Sequence, residues 1–234
     1  MWKFVKMLEY PVNIKKKDLR MAKYLVTQYG GSNGELAAAW RYLNQRYTMP
    51  DDKGKALLTD IGTEELAHME MISAIVYQLT KNLSMEEIKE SGFDKYYVDH
   101  TTGIWPQAAG GILFNACEFQ SKGDPITDLV EDLAAEQKAR STYDNILRLV
   151  HDNEVADPIR FLREREIVHF QRFGEAMRTD LSGIEANVSV FYDGSDLLSA
   201  CKKSPAEFDI IFLDIKMKAT NGVECAKMLR NEGV

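Results

Sequence analysis

The sequence predicts a mainly α protein: a four-helix bundle with one long crossover over residues 1–178, then a truncated α/β fragment over 179–234. Three observations predict it. Four segments carry apolar residues at helical spacing. The connections between them run short, long, short. Beyond Thr179, apolar β-branched runs alternate with helical stretches.

The first helix is expected from an N-cap at Ser32 or Asn33, through "GELAAAWRYLNQRY", to the break at Pro50. The second follows "PDD" and extends to about Leu79, with Leu57, Leu58, Ile61, Met69, Ile72 and Val76 spaced for a buried stripe. The third opens at Pro125, a residue suited to the first helical turn, and runs to about Val150. The fourth starts after "ADP" and ends near Met177 or Arg178. Residues 81–123 form the long connection, with a short helical piece at 84–91. Two helical hairpins joined by one long crossover make the ferritin-like topology. In the tail, "NVSVFYDG" and "FDIIFLDI" read as strands, each followed by a helix, "SDLLSACKKS" and "NGVECAKMLR".

Composition narrows the function classes. The chain has 234 residues, 45% of them hydrophobic and 28% charged, which suits a packed core. Its formal charge of −7 argues against nucleic acid as the main partner, and "KKK" at 15–17 reads as a solvated loop. No apolar run reaches the roughly 20 residues needed to span a bilayer, and the N-terminus lacks the features of a secretory signal. Cys117, Cys201 and Cys225 form no CxxC pair and read as buried thiols in a reducing compartment. A cytoplasmic protein is expected, with no membrane partner.

The chemistry lies in a repeat. A lone Glu-x-x-His is usually the wet side of a helix, but here Glu65/His68 and Glu166/His169 both show it. Glu35 and Glu136 are 101 residues apart, as are Glu65 and Glu166, His68 and His169, and Tyr42 and Tyr143. The two halves therefore present Glu, Tyr, Glu-x-x-His in register. Residues i and i+3 share a helix face, so each Glu and His of a pair can reach one ion. Tyr42 is expected above Glu35 on its own helix, and Tyr143 above Glu136. Carboxylates delivered to a bundle interior are very costly unless paired or bound to metal. One Glu from each of two helices and Glu-x-x-His from each of the others is the di-iron or di-manganese carboxylate pattern. Oxygen ligands with imidazole and no thiolate suit Mn or Fe rather than zinc or copper.

The stretches "LEYPVNIKKKDLRMAKYLVTQYGG", "WRYLNQRYTMPDD", "LLTDIGTEELAHMEM", "YYVDH", "QSKGDPITDLVEDLAAEQKARSTYD" and "FLREREIVHFQRFGEAMR" resemble the manganese catalase family, in particular its spore-coat branch. The resemblance implies a centre of two Mn ions that disproportionates hydrogen peroxide to water and dioxygen. It also implies a homo-oligomer, hexameric in the catalases proper, and admits a spore-coat location with other coat proteins as partners. It assigns Glu35, Glu65, His68, Glu136 and His169 as ligands, with Glu65 bridging. Residue pattern alone makes Glu166 a ligand equivalent to Glu65; the resemblance instead makes it an acid/base outside the metals. It gives Tyr42 a hydrogen-bonding role near the first glutamate and has Arg172 place positive charge beside the site. Family catalases often carry an arginine just before the third-helix glutamate, where this chain has Ala135.

Residues from about 184 to 234 resemble a response-regulator receiver domain, on "VSVFYDG", "FDIIFLDIKM" and "NGVECAKMLR", with Asp214 matching the phospho-accepting position. The acidic pair that would hold Mg²⁺ and the later strands are missing, so no signalling function is expected. Three functions stand: an active manganese catalase, a structural coat protein with a vestigial metal site, and a di-iron ferritin-like oxidase.

Overall fold

The computed structural model describes residues 7–94, 107–116, 121–183, 189, 191, 193–204, 211 and 222–231. Among these residues the chain forms eight helices: α1 (Leu19–Gly30), α2 (Glu35–Gln45), α3 (Asp52–Thr80), α4 (Met85–Glu90), α5 (Pro125–Leu147), α6 (Asn153–Gly183), α7 (Gly194–Lys203) and α8 (Gly222–Asn231). It divides into two compact units, Met1–Ile184 and Glu185–Val234.

Helix starts follow side-chain chemistry. Asp18, Asp51 and Asp124 cap α1, α3 and α5, accepting from the backbone N–H of Met21, Gly54 and Thr127 at 2.9, 2.7 and 2.8 Å. Ser84 and Glu87 form a reciprocal capping box on α4, inside the long connection. That connection is pinned where it enters α5. Buried Asp128 accepts from the N–H of Lys122 and of Gly123, at 2.7 and 3.0 Å, and Gly123 has φ +77.

The structure corrects the expected helices in three places. A further helix, α1, precedes the expected first one and buries Met21, Ala22, Leu25 and Val26. The expected first helix begins at Glu35 with Gly34 as its cap, not Ser32 or Asn33, and ends at Gln45, short of Pro50. A Cβ at position 34 would lie 2.7 Å from the Gln28 carbonyl oxygen, so the close approach of α1 to the start of α2 requires glycine there. The last helix of the unit starts at Asn153, upstream of Pro158, and runs to Gly183, past the expected end at Met177 or Arg178. Its start is held by Asp152, whose carboxylate accepts from Glu154 N at 2.9 Å. Pro158 sits early in the helix, where it forfeits one backbone bond.

Helices α2, α3, α5 and α6 form the bundle, with α2 packed on α3 and α5 on α6, and with α1 against α3. The order of buried residues fixes their relative sense. Along α3, Leu58 and Ile61 of one apolar cluster precede Glu65 and His68, and Met71, Ile72 and Ile75 of the other follow. Along α5 the order is the same, Leu129, Glu136, then Ile146; along α6 it reverses, Ile159 and Leu162, then Glu166 and His169, then Phe173. Helices α3 and α5 therefore run in the same sense, which is why a long crossover must join them. The acids and histidines occupy a polar layer between two apolar clusters.

In the second unit, α7 and α8 lie where the sequence places helices, and Leu197, Leu198, Cys201, Cys225 and Leu229 make a small core. Cys201 and Cys225 are buried and not disulfide-bonded; Cys117 lies outside the described residues. No strand is present among the described residues. The two runs expected as strands lie mostly outside them, and Asp214 does so entirely. The α/β character expected for the tail is thus represented only by its helices.

Candidate metal centre

The site is centred on Glu65, fully buried on α3. Its Oε2 lies 2.8 Å from Nδ1 of His68, one helical turn on, and its Oε1 lies 2.8 Å from Nδ1 of His169 on α6. One carboxylate thus addresses both imidazoles, whose rings stack at 5.5 Å between centroids. Each imidazole also faces a second carboxylate. His68 Nδ1 is 3.8 Å from Glu35 Oε2, and His169 Nδ1 is 3.5 Å from Glu136 Oε2. Glu35, Glu65, His68 and Glu166 offer ligand atoms within 4.8 Å of one another, as do Glu65, His68 and His169. The structure therefore brings together all five ligands expected from sequence, and Glu166 with them.

The tyrosines are placed differently from expectation. Tyr42 does not serve Glu35 of its own helix; its hydroxyl donates to Glu136 Oε1 on α5. Tyr143 on α5 donates in return to Glu35 Oε1 on α2. Seven residues separate Tyr42 from Glu35 along the helix, about 10 Å of rise, too far for the phenol to span. Arg172 also departs from expectation. Its guanidinium binds Asp60 at 2.7 Å on the outer side of α3, not the buried carboxylates. The arginine beside the site is Arg165, whose Nε donates to Glu64 at 2.5 Å.

Two groups escape the sequence pattern. Glu64 faces the outer edges of both imidazoles, 3.6 Å from His68 Nε2 and 3.3 Å from His169 Nε2. Glu9 of the N-terminal segment also stands 3.5 Å from His68 Nε2. On the Tyr42 side, Arg41, Gln45 and Asp132 are buried together, each with polar atoms that lack a hydrogen-bond partner. Arg41 brings positive charge to Tyr42 there, while Ala135 is buried and apolar. The 101-residue repeat of Glu, Tyr and Glu-x-x-His carries the signal in the sequence; Glu64, Asp132 and Arg41 look like ordinary helix residues.

Burial and mutual repulsion set the protonation states. Burial, then the charge of Glu65, pushes Glu35 up to about 8 and raises Glu136. Burial, then the charges of Glu136, Glu35 and Glu65, holds Glu166 well above the usual carboxylate range. Burial opposes charge on Glu65 too, but His169 and His68 outweigh it and keep that carboxyl well below its ordinary value. Burial would lower His169, yet Glu65 with Glu136 and Glu64 pushes it up to about 12. His68 is raised in the same way, chiefly by Glu65.

These residues fit a pair of divalent cations. Glu136 Oε2 and Glu166 Oε1 are buried without a hydrogen-bond partner, which buried polar atoms seldom tolerate. Four buried carboxylates crowd one layer, a charge density that cations would offset. The donors split into Glu35, one oxygen of Glu65 and His68 on one side, and Glu136, the other oxygen of Glu65 and His169 on the other. The arrangement is a candidate dinuclear metal site with oxygen and nitrogen donors only.

Known proteins match this chain along most of its length. The family model for manganese containing catalase matches residues 1–190. Protein CotJC of Bacillus subtilis (strain 168) is 54% identical over 177 residues, 76% of this chain and 93% of that protein. A probable manganese catalase of Clostridium acetobutylicum is 34% identical over 168 residues, 71% of this chain and 74% of that one. The crystal structure of KatB, a manganese catalase from Anabaena, superposes with a TM-score of 0.68 at 25% identity, covering 93% of this chain and 87% of that chain. The match ends at residue 190, so the receiver resemblance of the tail gains no support from it. With the family's pattern matched across both halves of the site, the chain belongs to the family of manganese-containing catalases.

Proposed function

We propose that the chain binds two Mn ions and disproportionates hydrogen peroxide, 2 H₂O₂ → 2 H₂O + O₂. The observation that carries this reading is the placement of Glu65, one oxygen on each imidazole, with Glu35 and Glu136 completing two equivalent donor sets. Glu35, Glu65, His68, Glu136 and His169 would hold the ions, with Glu65 shared between them. Such a pair of ions supplies two electrons to one peroxide and recovers two from the next.

The remaining work falls to the chain. Reduction of the first peroxide consumes two protons and oxidation of the second releases two, so a buried group that both gives and takes protons closes the cycle. Glu166 suits that task. Its Oε1 is unpartnered beside the ligands, and burial with the neighbouring carboxylates raises its pKa and so favours the protonated carboxyl. Tyr42 and Tyr143 hold Glu136 and Glu35 by one oxygen each and leave the other oxygen facing the histidines. The apolar clusters at either end of the layer keep bulk water from the carboxylates.

Substitution separates these roles. Glu166→Gln is expected to retain two Mn and lose about 10²- to 10⁴-fold in turnover. His68→Ala is expected to lose metal and turnover together. A Glu166→Gln protein isolated without metal would instead make Glu166 a ligand, as the sequence symmetry alone suggests.

A structural coat role is the second reading, favoured by the buried Ala135 where family catalases often carry arginine. Protein fully loaded with Mn yet inert toward peroxide would support it. Loading with Fe in preference to Mn would favour the di-iron oxidase. A hexameric assembly and a spore-coat location belong to the same proposal. For the tail we propose no phosphoryl-transfer role, because the sequence lacks the acidic pair that would hold Mg²⁺ next to Asp214.

A further inference from the structure

We infer that Glu64 is the positioning residue for both imidazoles, a single carboxylate that accepts the outer N–H of His68 and of His169 and is itself anchored by Arg165. The inference rests on the dinuclear reading above. Both Nδ1 atoms point inward at Glu65, so metal binding there leaves each ring's proton on Nε2. Those two Nε2 atoms are fully buried and have no hydrogen-bond partner. Both face the carboxylate of Glu64, at 3.6 Å through Oε1 and 3.3 Å through Oε2. A ligating histidine generally gives its other N–H to a carboxylate or carbonyl, which fixes its tautomer and its ring orientation.

Sharing one acceptor has a geometric consequence. The two rings stack with 22° between their planes, so their outer edges lie side by side, and the two oxygens of a single carboxylate can serve both. Arg165 fixes Glu64 from the far side through its Nε at 2.5 Å. Arg165 and Glu64 are themselves 101 residues apart, so this ion pair joins corresponding positions of the two halves. Glu9 offers a second carboxylate to His68, but it approaches one ring only.

Glutamine at position 64 discriminates sharply. Its amide has one carbonyl acceptor and one NH₂ donor, so it can satisfy one imidazole N–H while opposing the other. Gln is also a good helix former, and Glu64 lies partly exposed on α3, so the fold should tolerate the change. The test is a titration of the metal-free full chain with Mn(II), free ion counted by its EPR signal, and helix content followed by circular dichroism. The wild type is expected to bind two Mn tightly. Glu64→Gln is expected to bind in two unequal steps, one of them weakened about 10- to 100-fold, with unchanged helix content. Arg165→Met leaves both acceptors in place and is expected to weaken binding by less. Wild-type affinity for both ions in Glu64→Gln overturns the inference alone. So does an Arg165→Met protein as impaired as Glu64→Gln, since Glu64 would then matter only as an ion-pair partner. A wild-type chain that binds fewer than two Mn overturns the dinuclear reading and this inference with it.

Discussion

Glu65 is the residue on which the centre turns, because its two oxygens meet the inward Nδ1 atoms of two different imidazoles, each at 2.8 Å. Without metal, the histidines take the place of cations. His169, pushed up to about 12, and His68, raised likewise, are protonated at pH 7, and Glu35, at about 8, is mostly so. Ligands must shed those protons before they can bind an ion. The sign follows directly: each group is protonated when free and deprotonated when bound, so lowering the pH opposes binding. Apparent Mn affinity should rise between pH 6 and pH 8 by about tenfold per unit for each proton released. Calorimetry in buffers of different ionisation enthalpy would count those protons, and a pH-independent affinity would contradict these protonation states. The residues proposed as ligands were legible in the sequence because the 101-residue register repeats four positions at once, Glu, Tyr, Glu and His. Glu64 was not, since a glutamate one position from a ligand looks like any exposed helix residue until the outer edges of both rings are seen to face it. Arg172 misled for the opposite reason: one turn after His169 it shares the ligand's spacing, but its long side chain turns outward to Asp60.

At the scale of the helices, the crossed tyrosines tie α2 to α5 twice, through Tyr42 to Glu136 and through Tyr143 to Glu35. These two helices belong to different hairpins, so the links hold the halves of the site in register. Removing one phenol leaves a buried carboxylate oxygen without its donor, a loss of about 1–3 kcal/mol. Tyr143→Phe should therefore lower the thermal midpoint and weaken Mn binding about 10-fold, as should Tyr42→Phe. A Tyr143→Phe protein indistinguishable from wild type in both melting and Mn titration would deny the crossed arrangement any part in the site. Helical periodicity places both tyrosines on faces shared with their own glutamates but cannot say which neighbour a side chain will reach. Helix α1 was overlooked for a related reason. The sequence opens the first helix at Ser32 or Asn33, whereas Gly31 and Gly34 lie in a short join between two helices that pack closely. The hairpins and the long crossover were legible because connection length alone distinguishes antiparallel from parallel neighbours.

For the whole chain, every group assigned to the metal centre lies in the unit Met1–Ile184. The boundary expected near residue 178 falls inside α6, which continues to Gly183. A chain ending after Ile184 should fold and bind two Mn as the full chain does, while one ending after Arg178 loses the last turn of α6 and should melt lower. Loss of metal in the longer truncation would show that residues 185–234 support the site. The central claim is that a pair of Mn ions in this Glu/His layer disproportionates peroxide, and oxygen evolution tests it most directly. Full-length protein assayed to hold two Mn per chain, with no haem absorbance, is given hydrogen peroxide at an oxygen electrode. The account predicts one O₂ for every two peroxides consumed, at a rate far above free Mn(II). Oxygen evolution no faster than that of the free ion would contradict it.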